Sequence, residues 1–579
     1  MKYILLKYFK LYKFAVSICI FLVVLSCNKT PNAKQIVASK PNIIFILTDD
    51  QRSDALGYTG NNLAYTPEMD KLAKQGVFFK NAIATTPICS ASRASIFTGL
   101  YERTHRYSFS SNSIKGAFMK NAFPKLLKES GYYTGMYGKF GVKYNGLDSL
   151  YHKYENYDLR YDRKDITSYY YKTLGKDTVH LTRYTGEKGI TFIKEAPTDK
   201  PFCLQLSFSA PHASDNSKEQ YFWQKENDHV LANATIPPAR NSSDTYYDKL
   251  PQIVKNGFNR LRWFWRYDTA EKYQHSVKGY YRMIAGVDNE IGKIRKELVK
   301  KGIADNTIIV LMGDNGFFLG ERQIAGKWLM YENSIKVPLV IFDPRNKEHK
   351  DIEDMALNID IPSTILDYAG LEQPKTWHGK SLKKLIESKQ VTSKLRDTVL
   401  IEHIWEFENI AASEGVRTDK WKYFRYVEDK TIEELYHLEK DQNELQNLAE
   451  NPDYQDTLKK LRQKCNSLIE KYKDSTVLVP KNCSLKINEN TVFDWFYSKE
   501  PNEQSAYQIV VSSSKEKCIN GIGDVWDSKK IHSKSTQSVF YNRDAYVSNH
   551  DYFWKLRVWD EFNRPGIYST PIKFNFKGE

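Results

Sequence analysis

The stretch Thr86-Pro87-Ile88-Cys89-Ser90-Ala91-Ser92-Arg93-Ala94-Ser95-Ile96-Phe97-Thr98-Gly99 sets a nucleophile, Cys89, four residues before a fixed cation, Arg93. A helix beginning at Arg93 would set Cys89 at its positive end, where free backbone N–H groups and the dipole favour an anion. Arg93 would add a planar fork of donors one turn on. One reading is a nucleophile aimed at an oxyanion. The other is a buried cysteine packing as a small hydrophobe.

Oxygen donors stand at two further places, Asp49-Asp50 and Asp314-Asn315. Adjacent carboxylates repel, and a hard divalent cation relieves the repulsion. A solvated turn is the other reading of Asp49-Asp50. The four residues offer only oxygen, which suits Ca²⁺ or Mg²⁺ and not zinc. Lys139, His212 and Lys327 supply donors or protons.

A sheet must bring these residues together. Residues 41–48 form a continuous apolar run that reads as a buried parallel strand ending in Asp49-Asp50. Tyr132 to Tyr137 reads as a strand ending in Gly138-Lys139, and Phe202 to Phe208 as one leading to His212. Thr307 to Met312 reads as a strand ending in Gly313-Asp314-Asn315-Gly316. Helices are expected over Thr66 to Gln75, Phe123 to Ser130 and Gly279 to Lys300. Polar residues recurring at strand ends predict one site along one edge of an α/β sheet. Segments 140–200 and 213–275, rich in Tyr, Lys and Arg, read as loops.

Cys-x-Ala-Ser-Arg, with Pro87 before it and Thr98-Gly99 after it, resembles the activation signature of the type I sulfatases. Ala91 stands where many members carry Pro. The resemblance covers roughly residues 41 to 475 and implies an alkaline-phosphatase-like α/β fold, with a central mixed sheet flanked by helices and a small C-terminal α+β subdomain. It further implies that Cys89 is oxidised to Cα-formylglycine by a maturation enzyme and acts as a hydrated aldehyde. Asp49, Asp50, Asp314, Asn315 and modified Cys89 would hold Ca²⁺, with Mg²⁺ the alternative. Arg93, Lys139 and Lys327 would grip the sulfate, and His212 would protonate the leaving oxygen. His378, in Trp377-His378-Gly379-Lys380, matches a loop often near substrate. One departure stands out. The family usually carries Trp-His after Gly-Lys, where this chain has Phe140-Gly141. The missing His normally takes a proton in turnover, help worth roughly 10²–10⁴-fold.

The chain of 579 residues is too long for one core and carries a formal charge of +15. The charge suggests a polyanionic partner; no nucleic-acid motif accompanies it. Residues 1–27 read as an export leader, with lysines before the apolar run Phe14 to Leu25. Val24-Leu25-Ser26-Cys27 resembles a bacterial lipobox, implying a lipid anchor on Cys27 and a periplasmic or outer-membrane location. A polar tether, 28–40, follows. The expected division continues with 41–375 and 376–475 as the two sulfatase subdomains and an all-β sandwich over 480–579, where short alternating strands appear. The tail resembles the fibronectin type III-like module of bacterial α-L-rhamnosidases. A Cys483–Cys518 bridge is one option in an oxidising compartment.

The resulting expectation is a sulfatase acting on a sulfated polysaccharide or its oligosaccharides, with ulvan as the candidate that the tail suggests. A phosphoester or phosphonate hydrolase and a non-catalytic glycan-binding lipoprotein are the alternatives.

Overall fold

The computed structural model describes residues 40–157, 169–215, 217–388, 394–404, 409–474, 478–487, 491–497, 503–540 and 543–576. The leader, Cys27 and nearly all of the tether lie outside the described residues. The apolar runs form a mixed sheet of eight strands: β1 (Asn42–Thr48), β2 (Val77–Phe79), β3 (Tyr133–Gly138), β4 (Lys153–Asn156), β5 (Phe202–Phe208), β6 (Thr307–Gly313), β7 (Leu339–Phe342) and β8 (Lys350–Ile352). Their order is β8-β2-β7-β6-β1-β5-β3-β4. β1 runs parallel to both neighbours, with Ile43 opposite Cys203 and Ile308. β3 is parallel to β5, whereas β7 is antiparallel to β6 and β2. The C-terminal ends of β1, β3, β5 and β6 therefore share one edge.

Helices cover both faces, which is why the central strands are apolar throughout and not alternating. They are α1 (Pro67–Gln75), α2 (Cys89–Thr98), α3 (Phe123–Glu129), α4 (Leu181–Glu195), α5 (Phe258–Arg266), α6 (Ala270–Lys300), α7 (Asp360–Tyr368) and α8 (Gln455–Tyr472). Ile44 and Ile46 pack with Ile193 of α4 and Ile284 of α6. Phe45 and Leu47 turn the other way, to Phe97 of α2 and Phe123 of α3.

Three helices depart from expectation. α6 starts at Ala270, where the Thr269 hydroxyl accepts from Lys272 N at 3.2 Å and caps the helix. α4 and α5 lie within the two segments read as loops. In α4, Gly186 and Gly189 let helices and sheet approach closely. A Cβ on Gly186 would meet Glu290 Oε2 at 2.3 Å, and one on Gly189 would meet Leu206 Cδ2 at 2.9 Å.

The C-terminal α+β part holds four antiparallel strands, β9 (Thr398–His403), β10 (Ser413–Thr418), β11 (Trp421–Tyr426) and β12 (Glu433–His437). Val416, Tyr423 and Leu435 pack there against Leu458, Leu461 and Cys465 of α8. The tail forms antiparallel sheets around Phe493, Ile509, Val511, Trp554, Leu556 and Val558. It is anchored by Arg564, whose Nη1 donates to Asp474 Oδ2 at 2.9 Å and whose Nε donates to Asp560 Oδ2 at 2.6 Å. Arg106 Nη2 also donates to Pro565 O at 2.7 Å. The described cysteines, Cys483 and Cys518 included, are all free.

Glu102 follows α2 and accepts from Ile404 N at 3.2 Å. Burial, aided by Glu402, pushes its carboxyl up to about 8. A carboxyl raised in the folded state loses the chain stability as pH climbs from its unfolded value towards that point. Between pH 5 and pH 8 the melting temperature of Glu102→Gln should therefore fall less than that of the parent in thermal scans, and parallel curves would contradict the assignment.

Candidate active site

Each donor named from the sequence, His378 excepted, lies at the shared sheet edge. Asp49 and Asp50 follow β1 directly. Asp50 adopts φ 67°, and its N–H donates to Asp314 Oδ1 at 3.1 Å. Tyr280 of α6 donates from its hydroxyl to Asp50 O at 2.9 Å, fixing this uncommon backbone from behind. Asp314 follows β6, and its N–H reaches Thr48 O at 2.9 Å. The helix begins at Cys89 itself and not at Arg93, which still sets the cysteine at the N-terminal end of α2.

Arg93 lies one turn along α2 and is fully buried. Its Nε donates to Asp314 Oδ2 at 2.8 Å, its Nη1 to Lys139 O, and its Nη2 lies 3.6 Å from Asp49 Oδ2. Lys139 Nζ donates to Asp49 Oδ2 at 2.5 Å and lies 3.6 Å from Cys89 Sγ. Lys327 Nζ donates to Asp50 Oδ1 and stands 3.8 Å from Asp49 Oδ1. His212 Nε2 is 3.7 Å from Asp50 Oδ2. Asn315 Nδ2 donates to Asp50 Oδ1 at 2.7 Å.

The electrostatics follow from this packing. Burial would raise the Asp49 carboxyl, but Lys139, His212, Arg93 and Lys327 outweigh it and hold the group well below the carboxylate range. Burial, with Asp49 beside it, pushes Asp314 up to about 6. Burial outweighs Asp50 and Asp49 and draws the His212 imidazole down to about 4. The Cys89 thiol is raised by burial despite Lys139 and Lys327.

The residues fit a hard cation. Ligand atoms of Asp49, Asp50 and His212 lie within 4.8 Å of one another. Asp49 Oδ1 and Asn315 Oδ1 are buried oxygens that accept no hydrogen bond. Oxygens of this kind, gathered with carboxylates, match Ca²⁺ or Mg²⁺ chemistry.

The family model described as sulfatase matches residues 41–371. The chain belongs to the sulfatase family. Hydrolysis of sulfuric esters is therefore its chemistry. The model for the C-terminal part of N-sulphoglucosamine sulphohydrolase matches residues 320–471, and a Rha78A-like N-terminal immunoglobulin domain matches 482–576. An N-acetylglucosamine-6-O-sulfatase of Bacteroides thetaiotaomicron is 27% identical over 512 residues, covering 78% of this chain and 90% of that one. An ulvan-active sulfatase of Formosa agariphila is 24% identical over 494 residues, covering 79% and 87%. A solved structure of a protein in complex with its substrate, D-glucosamine-2-N,6-O-disulfate, aligns with TM-score 0.64 and 25% identity, covering 76% of this chain and 99% of that one.

In this sulfatase His378 lies away from the cluster. Its Nδ1 accepts from Tyr101 N at 3.2 Å, and its ring packs on Tyr101 and Tyr472. That is beyond the far end of α2, roughly 15 Å along the axis from Cys89 at 1.5 Å per residue. Two supporting residues went unread in the sequence. Asn259 of α5 donates from Nδ2 to Ala325 O at 2.8 Å and Lys327 O at 2.9 Å, fixing the backbone that carries Lys327. Asp215 accepts from both Arg262 and Arg266, tying the His212 loop to α5. Neither carries a motif; contact across distant segments is what selects them.

Gly141 departs from the family pattern for a steric reason. Its φ is +77°, and a Cβ there would fall 2.5 Å from Arg93 Cδ. Arg93 has no room to yield, because Asp314 and Lys139 O fix its head. Restoring the family histidine with Gly141→His should therefore cost activity, as should Gly141→Ala. Both variants are expected to lower aryl sulfate turnover by more than tenfold and to weaken stabilisation by added Ca²⁺ in thermal scans. A Gly141→His enzyme faster than the parent would contradict this.

Proposed function

We propose that the chain hydrolyses sulfate esters on the sugars of a sulfated polysaccharide or its oligosaccharides, with ulvan as the first candidate, by way of a Cα-formylglycine made from Cys89 and a bound Ca²⁺. The observation that carries this reading is a cysteine at a helix N-terminus beside three buried carboxylates and three buried cations. A buried thiol with a raised proton affinity is a poor nucleophile, which favours an oxidised side chain as the working group. Bound there, the aldehyde hydrate would supply an oxygen nucleophile and the cation would stabilise its charge. Asp49, Asp50, Asp314 and Asn315 would hold the cation.

The chain's own residues do the rest. Lys139, Lys327 and the free Nη2 of Arg93 offset the charge on the sulfuryl oxygens. Arg93 also fixes Asp314 and the Lys139 carbonyl, so the sulfate meets donors already in place. A sulfate arriving beside His212 adds negative charge and favours its protonated form. His212 then gives that proton to the departing sugar oxygen. The substrate choice is supported by the relatives named for N-acetylglucosamine-6-O-sulfate and ulvan chemistry and by the Rha78A-like tail. A lipid anchor at Cys27 would hold the enzyme at a periplasmic or outer-membrane surface.

Cys89→Ala should abolish sulfate release, and mass spectrometry of the peptide holding Cys89 should find the aldehyde in protein from its host. Full sulfate release by Cys89→Ala would defeat the proposal. His212→Ala should slow sugar sulfates by roughly 10²–10⁴-fold and 4-nitrophenyl sulfate far less, because a nitrophenolate needs no proton to leave. EDTA should suppress turnover and Ca²⁺ restore it. Faster hydrolysis of aryl phosphate than of aryl sulfate would favour a phosphoester hydrolase instead. Comparing sulfate release from ulvan oligosaccharides and from N-acetylglucosamine 6-sulfate decides the sugar.

A further inference from the structure

α5 packs one face on the Lys327 segment and bears a strip of rings and cations on the other. At its first residue, Phe258 lies 5.9 Å from the ring of Trp328, the neighbour of Lys327. Further along, the Arg260 guanidinium stands against three rings: Trp263 at 4.1 Å, Tyr247 at 4.2 Å and Phe264 at 4.5 Å. Lys249 lies 5.8 Å over Tyr246, and Lys255 5.9 Å over Tyr247. Phe264 is 44% exposed, and Lys249 is exposed.

The charges of this strip are not spent within the protein. Among the described residues, Arg260, Lys249 and Lys255 form no ion pair with a carboxylate, whereas the neighbouring Asp268 is paired with Lys272. Asp244 accepts from Gln323 Nε2. Arg260 uses one edge of its fork on Gln323. Aromatic faces suit the C–H faces of pyranose rings, and guanidinium and ammonium groups suit sulfate esters. At roughly 100° per residue, Arg260 and Phe264 share one face of α5, turned about 200° from the Phe258 face that meets Trp328. A single esterified sugar held by Lys139 and Lys327 would not reach round to that face; a chain would.

We propose that Arg260, Phe264, Lys249 and Lys255 bind the sulfated polysaccharide chain that flanks the ester being cut. The proposal rests on the reading of the site as one for sulfated saccharides. The full chain should be retarded in native gels containing dextran sulfate and not in gels containing neutral dextran, with retardation falling as salt rises. Lys249→Ala, Phe264→Ala and Arg260→Lys should each weaken retardation, and Lys249→Ala/Phe264→Ala together by about fivefold or more. Lys296→Ala, an equal loss of charge on α6, should leave it unchanged.

All of these variants should hydrolyse 4-nitrophenyl sulfate at the parent rate, since that ester ends before the strip. On ulvan the double variant should raise KM with little change in kcat. Equal retardation of parent and double variant, or retardation by single-stranded DNA but not dextran sulfate, would overturn the proposal. A parent inactive on every sulfate ester yet retarded through this strip would instead remove the catalytic reading and keep the surface.

Discussion

Three carboxylates and three cations share one water-poor space. Asp49, Asp50 and Asp314 are buried together with Arg93, Lys139 and Lys327. Taking such charges from water is costly, and mutual attraction repays the cost only with close geometry. That demand fixes much of what surrounds them. Asp50 takes a left-handed backbone, Gly141 lacks a side chain, and α5 and α6 send Asn259 and Tyr280 to hold the backbones that carry the charged groups. Apolar packing of equal volume would serve stability better, so the arrangement is best understood as kept for chemistry.

The fold was legible where one periodicity dominated. β1, β5 and β6 are unbroken apolar runs because helices cover both faces, and each appeared near its sequence boundaries. α4 and α5 were not legible. In α4, glycines that normally punctuate loops instead mark a tight crossing onto α6 and β5. In α5, the run Phe258–Arg266 mixes Trp, Phe and Arg because one face meets the Lys327 segment and the other meets solvent. Local pattern records burial only when burial follows one face.

The site was legible for a different reason. Polar residues at the ends of parallel strands must lie together once the strands pair, so the sequence alone groups Asp49, Lys139, His212 and Asp314. Cys89 and Arg93 follow from helical spacing. His378 resisted this logic because it lies on no strand end, and its loop packs under Tyr101 and Tyr472 instead. Asn259 and Asp215 resisted it because their work is to hold other residues, a role that leaves no spacing rule behind.

Arg564 sits between Asp474, two residues after α8, and Asp560 of the tail. The sandwich is thus clasped to the enzyme through a charge shared by both, not strung from a slack leash. Cutting the chain after α8 would take away the guanidinium and leave Asp474 to face its buried setting with one fewer counter-charge. The β-module is in that sense a structural tenant of the hydrolase, and an enzyme trimmed of it would carry an altered surface at Asp474.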